Sequence, residues 1–452
     1  MALHEALESG TYVPRPSLAF LVTKPMQREI FAADFRDRVV HHLLVGHLEP
    51  FCERRFIHDS YACRTGKGTH QAVERLRAFT RQVTANDTRR AWYLQRDVRG
   101  FFLTLDRHLL YQQVTAQERD AVVHWLLRVI LFQDLTATCR YRHARRADFE
   151  RLPPHKTLFK APPGCGLRIG NLTSQFFANV YLDPLDQFVK HRLKARYYLR
   201  YCDDLVLLSA DQAQLQDWER QIEAFLAERL HLQLNERRRL RPVADGIDFL
   251  GYITRPDYLL VRRRVVGALR ARLNHTEQTL CRLGMAHYAE GLAVFPWPWP
   301  LLEQLRQWLS SYLSHLGKAS SHRLLQGLRH RYPWLDEYLH WEGSKVVYRC
   351  PVPWHAVRLA QQTAWFATHL PGHVLLIRQG HYWEVAVPPT TSAADKAAAL
   401  DALRAWPRRV PRRRLPALKS VLWRSALPVA WIGETGRRLG AIAERALHGR
   451  WA

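Results

Sequence analysis

The stretch Arg200-Tyr201-Cys202-Asp203-Asp204-Leu205-Val206-Leu207-Leu208-Ser209 sets two adjacent carboxylates inside a run that is otherwise apolar and rich in β-forming residues. YYLRYC leads into the pair, and LVLLSA leads out of it towards a turn-like SADQ. The pattern predicts two strands, with the acids at the tip of a hairpin or at a strand end. A polar turn is the ordinary reading of an Asp-Asp pair, and the apolar flanks argue against it here. Burying unpaired carboxylates is costly, and a metal ion or a basic partner is the usual compensation. Successive strand residues point to opposite faces, so the two acids need not share one task.

A metal site needs a further oxygen ligand. Asp97 in LQRDVRGFFLTLD offers one, because it too follows a short strand-like run, AWYLQ. Mg2+ takes carboxylates together with phosphate oxygens. Two such ions ~3.5–4 Å apart activate an attacking hydroxyl and stabilise a leaving oxygen in phosphoryl transfer. Charge points the same way: 67 Lys and Arg against 41 Asp and Glu give a formal net charge of +26, which calls for a polyanionic partner. The seven cysteines form no C-x-x-C pair, so neither a zinc site nor a disulfide framework is expected, and a reducing cytoplasm fits. The first residues lack a basic segment followed by an apolar core, and no apolar run reaches membrane-span length, so neither a secretory signal nor a membrane is expected.

These blocks resemble the reverse transcriptases. YCDD is similar to the family's Y-x-D-D signature and DVRGFF to its first catalytic strand. KPMQREIFAADFRDRVVHHLL and FIHDSYACRTGKGTHQAV precede Asp97, GLRIGNLTSQFFANVYLDPLDQFV lies between the two acidic blocks, and LNERRRLRPVADGIDFLGYI follows them. The ordered likeness covers roughly residues 20–255. It implies an α+β right-hand polymerase. Its parts are an N-terminal segment and fingers (1–95), a palm with an antiparallel sheet (96–258, with a finger insertion at about 120–165) and a helical thumb (259–344).

The same resemblance implies an RNA-directed DNA polymerase with Asp97, Asp203 and Asp204 as catalytic acids. Those acids and the backbone carbonyl of Val98 would hold two Mg2+ ions, which Mn2+ can replace. Deoxynucleoside triphosphates fall to Arg64 and Lys67 in RTGKG, to Phe102, and to Ile169, Gly170 and Gln175. Phe102, fifth after Asp97, would collide with a ribose 2′-hydroxyl. Lys24 and Arg28 in KPMQREI receive no firm role. Arg238 stands where the family carries a Lys in L-x-x-x-K and would meet nucleic acid; charge is kept, geometry is not.

The block Ile169-Gly170-Asn171-Leu172-Thr173-Ser174-Gln175 departs from the commoner Q-G-x-x-x-S-P. An isoleucine can pack against a base or sugar but cannot hydrogen-bond, so geometric discrimination should weaken. The I-G-x-x-x-S-Q form resembles the reverse transcriptases of diversity-generating retroelements, which copy a template-repeat RNA with errors at adenines. Expected partners are template RNA, the cDNA and its RNA–DNA hybrid, and a small basic accessory protein. Retron-like and phage-defence reverse transcriptases share similar variants and form the alternative. A basic RNA-binding protein without polymerase activity is a second alternative, which the intact acids disfavour.

From VRRRVVGALRARLNHTEQTLCRL to about residue 340 the helix-period pattern is basic and broken by FPWPWP, as suits a thumb tracking a nucleic-acid backbone. Residues 345–452 read as a small α/β domain: a helix, the strand VLLIR, a turn and a second strand, and later PVAWIGETG, a strand ending in a polar turn. The segment resembles the mismatch-recognition domain of MutS proteins, with Gly380-His381-Tyr382-Trp383-Glu384 in place of G-x-F-Y-E. That likeness implies Tyr382 against a base and Glu384 accepting its hydrogen bond. The alternative is a domain that grips RNA with Arg408, Arg409, Arg412, Arg413 and Arg414.

Overall fold

The computed structural model describes residues 2–22, 27–116, 118–287, 293–296, 298–348, 358–439 and 442–451. The chain divides into two compact units, Met1–Leu259 and Leu260–Ala452.

The first unit is built on a four-stranded antiparallel sheet. Its strands run in the order Tyr197–Tyr201, Asp204–Ser209, Trp92–Asp97, Arg239–Pro242. The run LVLLS is continuously apolar because both of its faces are covered. Leu205 and Leu207 enter one core with Leu94 and Tyr198, beneath the helices Phe35–Arg55, Leu172–Gln187 and Gln212–Leu230. Val206 and Leu208 enter another with Tyr93, Leu199 and the helix Thr69–Val83. Period-two alternation thus feeds two hydrophobic layers rather than one. The segment IDFLGYI forms a hairpin, Ile247–Phe249 paired with Tyr252–Thr254. Leu250 and Gly251 turn it with positive φ (48° and 96°), the geometry a two-residue hairpin loop requires.

A second, smaller sheet lies in the segment expected as fingers. Leu18–Val22 pairs antiparallel with Arg28–Ala32, and Arg140–Tyr141 joins Leu18 in parallel. The segment at about 120–165 is therefore tied back to the N-terminal hairpin. Phe31, Phe149 and Phe159 fill the space between, with ring centroids 5.7–6.4 Å apart.

In the second unit, segments 259–344 and 345–452, expected to be separate, share one core. Leu269 and Leu273 of the helix Arg263–Arg282, and Leu302, Leu305 and Leu309 of the helix Trp299–Leu316, pack with Leu375, Ile377, Ala430 and Ile432. Two short strands from the thumb segment, Ala286–His287 and Ala293–Pro296, extend a seven-stranded sheet. It continues through Ile442–Trp451, Val429–Leu439, Val374–Gln379, Tyr382–Ala386 and Arg409–Pro411. Val374–Gln379 and Val429–Leu439 run parallel, whereas the other pairs printed for this sheet are antiparallel. The expected helix, strand, turn and strand appear as Leu359–His369, Val374–Gln379, Gly380 (φ 59°) and Tyr382–Ala386. PVAWIGETG does not end in a turn: its strand runs on to Leu439, with a register shift between Glu434 and Arg438. Among the described residues no helix is long and apolar enough to cross a membrane.

Candidate active site

The acids meet. Trp92–Asp97 and Asp204–Ser209 lie side by side in a register that sets Asp97 directly across from Asp204. Asp203 sits in the turn of the hairpin, where Cys202 adopts φ 55°. The N–H of Val98 donates to the carbonyl of Asp203 at 3.2 Å, which ties the end of the first catalytic strand to the turn. In an extended residue the N–H and C=O point to the same side, so the Val98 carbonyl also faces the turn.

Charge at this point is unbalanced. Burial pushes the Asp203 carboxyl above the usual range, and the negative charge of Asp97 adds to the rise; Arg28, on the first position of its fingers strand, opposes it. Two neighbouring carboxylates, one of them reluctant to ionise, form a donor set suited to a divalent cation. Among the described residues no three His, Cys, Asp or Glu side chains close around one point, so such an ion would draw further oxygens from backbone, water or phosphate, as Mg2+ commonly does.

The hairpin tip is anchored from inside. Arg200 is fully buried against Asp186 in the helix Leu172–Gln187: Nε donates to both carboxylate oxygens at 2.9 and 3.0 Å, and Nη2 to Oδ2 at 2.7 Å. Its Nη1 donates to the carbonyl of Cys202 at 2.9 Å and to Asn179 Oδ1 at 3.2 Å, while Tyr198 donates to Asp186 at 2.7 Å. Asp97 is held as well. Asn235 donates from Nδ2 to Asp97 Oδ2 at 3.1 Å and from its backbone N–H to the Asp97 carbonyl at 2.8 Å. The Asn235 carbonyl accepts from Arg96 at 2.9 Å, and Arg96 donates to Glu219 at 2.7 Å. Arg238 grips the same Glu219 with Nε at 2.8–2.9 Å. Arg238 is thus half-exposed but fixed to the palm through that carboxylate.

The block around Ile169 lies against the strand Arg28–Ala32. The Phe31 N–H donates to the Ile169 carbonyl at 3.1 Å. Asn171 clamps the same strand, accepting from the Ala33 N–H at 3.0 Å and donating to the Phe31 carbonyl at 2.7 Å. Gly170 has φ 117°, and a Cβ there would come within 2.8 Å of Ile30 Cγ2, so only glycine permits this approach. Gln175 is exposed on the first turn of the helix that follows. Phe102 is half-buried, edge-on to Phe101 with centroids 5.2 Å apart, and its carbonyl accepts from Leu167 at 2.6 Å.

Arg64 does not present its guanidinium as expected. Nε and Nη2 bind Glu53 at 2.7–3.0 Å, and Nη1 donates to the carbonyls of Ile57 and Ser60 at 2.7 and 2.9 Å. Every nitrogen of the group has a protein partner, so Arg64 shapes the loop that carries Lys67. Lys67 donates to the His58 carbonyl at 2.9 Å and lies over the Tyr61 ring. Lys24 falls outside the described residues. Tyr382 and Glu384 belong to the second unit. Arg200, Asn171 and Asn235 were not singled out from sequence. The arginine in YYLRYC was the available signal, since a cation inside a two-sided apolar strand demands a buried acid.

A mixed α+β unit with paired acids at the end of its central strands is an arrangement suited to a nucleotidyltransferase of the polymerase class. The sequence pattern of the reverse transcriptase (RNA-dependent DNA polymerase) family matches residues 23–254, just over half of the chain, and the chain belongs to that family. It is 25 % identical over 286 residues to Protein YkfC of Escherichia coli (strain K12), spanning 55 % of this chain and 69 % of that protein. It is 23 % identical over 188 residues to the group II intron-encoded protein LtrA of Lactococcus lactis subsp. cremoris, 41 % of this chain and 27 % of that one. Solved telomerase structures from Candida tropicalis and Candida albicans are similar at TM-scores of 0.39 and 0.38, with 11 % identity in each; they cover 55 % and 72 % of this chain and 55 % and 57 % of theirs.

Proposed function

We propose that this protein is the error-prone RNA-directed DNA polymerase of a diversity-generating retroelement, making mutagenised cDNA from a template-repeat RNA. Ile169 carries the reading. Its backbone is pinned to the fingers strand through Phe31, while its half-buried side chain brings no hydrogen-bonding group. A nascent pair beside it would be judged by packing alone.

In this mechanism Asp97 and Asp203, with Asp204 and the Val98 carbonyl, would hold two divalent ions, Mg2+ or Mn2+. Bound there, the ions would lower the charge barrier to attack of a primer hydroxyl on a deoxynucleoside triphosphate. Arg200 and Asn235 keep the two carboxylates facing each other, and Phe102 excludes the ribose 2′-hydroxyl. Template RNA and the RNA–DNA hybrid are the polyanionic partners that the charge of +26 demands. A small basic accessory protein and a cytoplasmic setting complete the proposal.

In the second unit a MutS-like role would fall on Tyr382, half-exposed at a strand end. Glu384 is already engaged by Arg408 at 3.1 Å and by Gln379, which leaves the tyrosine ring to meet a base.

The test is sequencing of cDNA made on an RNA template containing all four bases. The wild type should misincorporate chiefly opposite adenine. Ile169→Gln should lower that error about 2–10-fold, the worth of one regained hydrogen bond. A flat error spectrum, or one that Ile169→Gln leaves unchanged, refutes the proposal.

A further inference from the structure

A cavity of about 590 Å³ in the second unit is lined by Lys419, Ser420, Trp423, Arg424, Trp431 and Trp451, inside the ~300–1,000 Å³ range of small-ligand pockets. The indoles meet at angles rather than stacking closed: Trp423 to Trp451 at 5.2 Å and 78°, Trp431 to Trp451 at 5.4 Å and 52°. The site depends on glycine. A Cβ at Gly449 would lie 2.2 Å from Trp431 Cζ2, so the ring rests directly on the neighbouring backbone.

Lys419 Nζ stands 3.4 Å over the Trp431 ring. Among the described residues no carboxylate compensates it, and burial alone pushes its ammonium down to about 8. His448, near enough to feel that charge, is pushed down as well and supplies no anion. Arg424 adds a second cation at the exposed rim. Flat aromatic walls ask for a flat aromatic ligand. Two cations without a counter-charge reject a cationic one and ask for an anion. One chemical class carries both features.

We propose that this pocket takes one unpaired nucleotide of a single-stranded nucleic acid, its base against the half-buried Trp423 and its phosphate on Lys419 and Arg424. The pocket lies in a different unit from the catalytic acids and shares no residue with them. Base–indole stacking is tolerant of sequence, so the site would retain strand rather than read it. Base-paired nucleic acid cannot offer a free face and would be refused.

The test uses the full chain labelled with fluorotryptophan and followed by fluorine NMR, with the three resonances assigned by single Trp→Phe substitutions. The probes are a ten-nucleotide single-stranded RNA, the same RNA annealed to its complement, and an abasic oligomer of equal charge. The single strand should move the resonances of Trp423, Trp431 and Trp451, and neither control should. Trp423→Leu and Lys419→Met should each weaken the single-strand response about 5–100-fold, the range of one stacked base. Unmoved pocket resonances, an equal response to the abasic oligomer or the duplex, or undiminished binding by both variants overturns the proposal. The readout is binding, so it stands apart from whether the catalytic acids support synthesis.

Discussion

Replacing Arg200 with methionine isolates what the buried ion pair does. Asp186 and Arg200 are both wholly enclosed, so the substitution leaves a carboxylate without its cation in a dry interior. Breaking such a pair from one side costs ~3–5 kcal/mol, a large part of the ~5–15 kcal/mol that holds a domain together. The change also removes the donor to the Cys202 carbonyl, which sits immediately before Asp203. The measurement is amide hydrogen exchange over the strands Tyr197–Tyr201 and Asp204–Ser209, alongside primer extension on RNA. Arg200→Met should cut protection of these strands by roughly two to three and a half orders of magnitude. The triple change Arg200→Met, Asp186→Leu, Tyr198→Phe replaces the whole polar cluster with apolar groups of similar size and should restore most of the protection. It should not restore synthesis, because the donor to the Cys202 carbonyl beside Asp203 is still missing. Unchanged exchange in the single variant, or wild-type synthesis in the triple one, refutes the reasoning.

Asn235→Ala removes a hydrogen bond to an ionised acceptor, worth ~1.5–3 kcal/mol. Primer extension by the folded variant should fall about 10–100-fold, and undiminished extension would show that Asp97 needs no orienting donor. Glu29 is buried on the fingers strand, accepting from Thr157 Oγ1 at 2.8 Å and the Leu158 N–H at 2.5 Å, and burial pushes its carboxyl up from 4.5 to about 7. The native fingers therefore bind a proton that the unfolded chain has already lost. Stability is fully present below about pH 4.5 and falls by ~3 kcal/mol as pH rises to 7. Exchange protection of Leu18–Val22 and Arg28–Ala32 should drop over that interval in the wild type and stay flat in Glu29→Gln; parallel profiles would sink the assignment.

The position of the acids was legible because their surroundings leave few options. A strand apolar on both faces must be covered on both sides, and carboxylates at its end must face something charged. Asp97 followed by the same logic. The acid that pairs with Arg200 was not legible: Asp186 lies on a helix buried along most of its length, where one more polar residue carries no period of its own. Asn171 and Asn235 act through contacts to residues far away in sequence, which no local pattern announces. Arg64 misled for the opposite reason. Its glycine-flexed setting suggests a loop reaching for a ligand, yet Glu53, eleven residues earlier, turns it inward. The union of 259–344 with 345–452 was hidden because Ala293–Pro296 is only four residues long, too short to show a strand period, and its partner is the strand Ile442–Trp451.

That last pairing has a temporal consequence. Ile442–Trp451 lies in the interior of its sheet, between Ala293–Pro296 and Val429–Leu439. The ribosome must therefore deliver residue 451 before the leucine-rich helices of this unit can finish burying their apolar sides. The closure spans nearly the whole unit and bears the entropy of a long loop. Met1–Leu259 faces no such wait and can assemble its acids while the remainder is still being translated. For an interval during every round of synthesis, the nascent chain would carry a completed first unit and an unfinished second one.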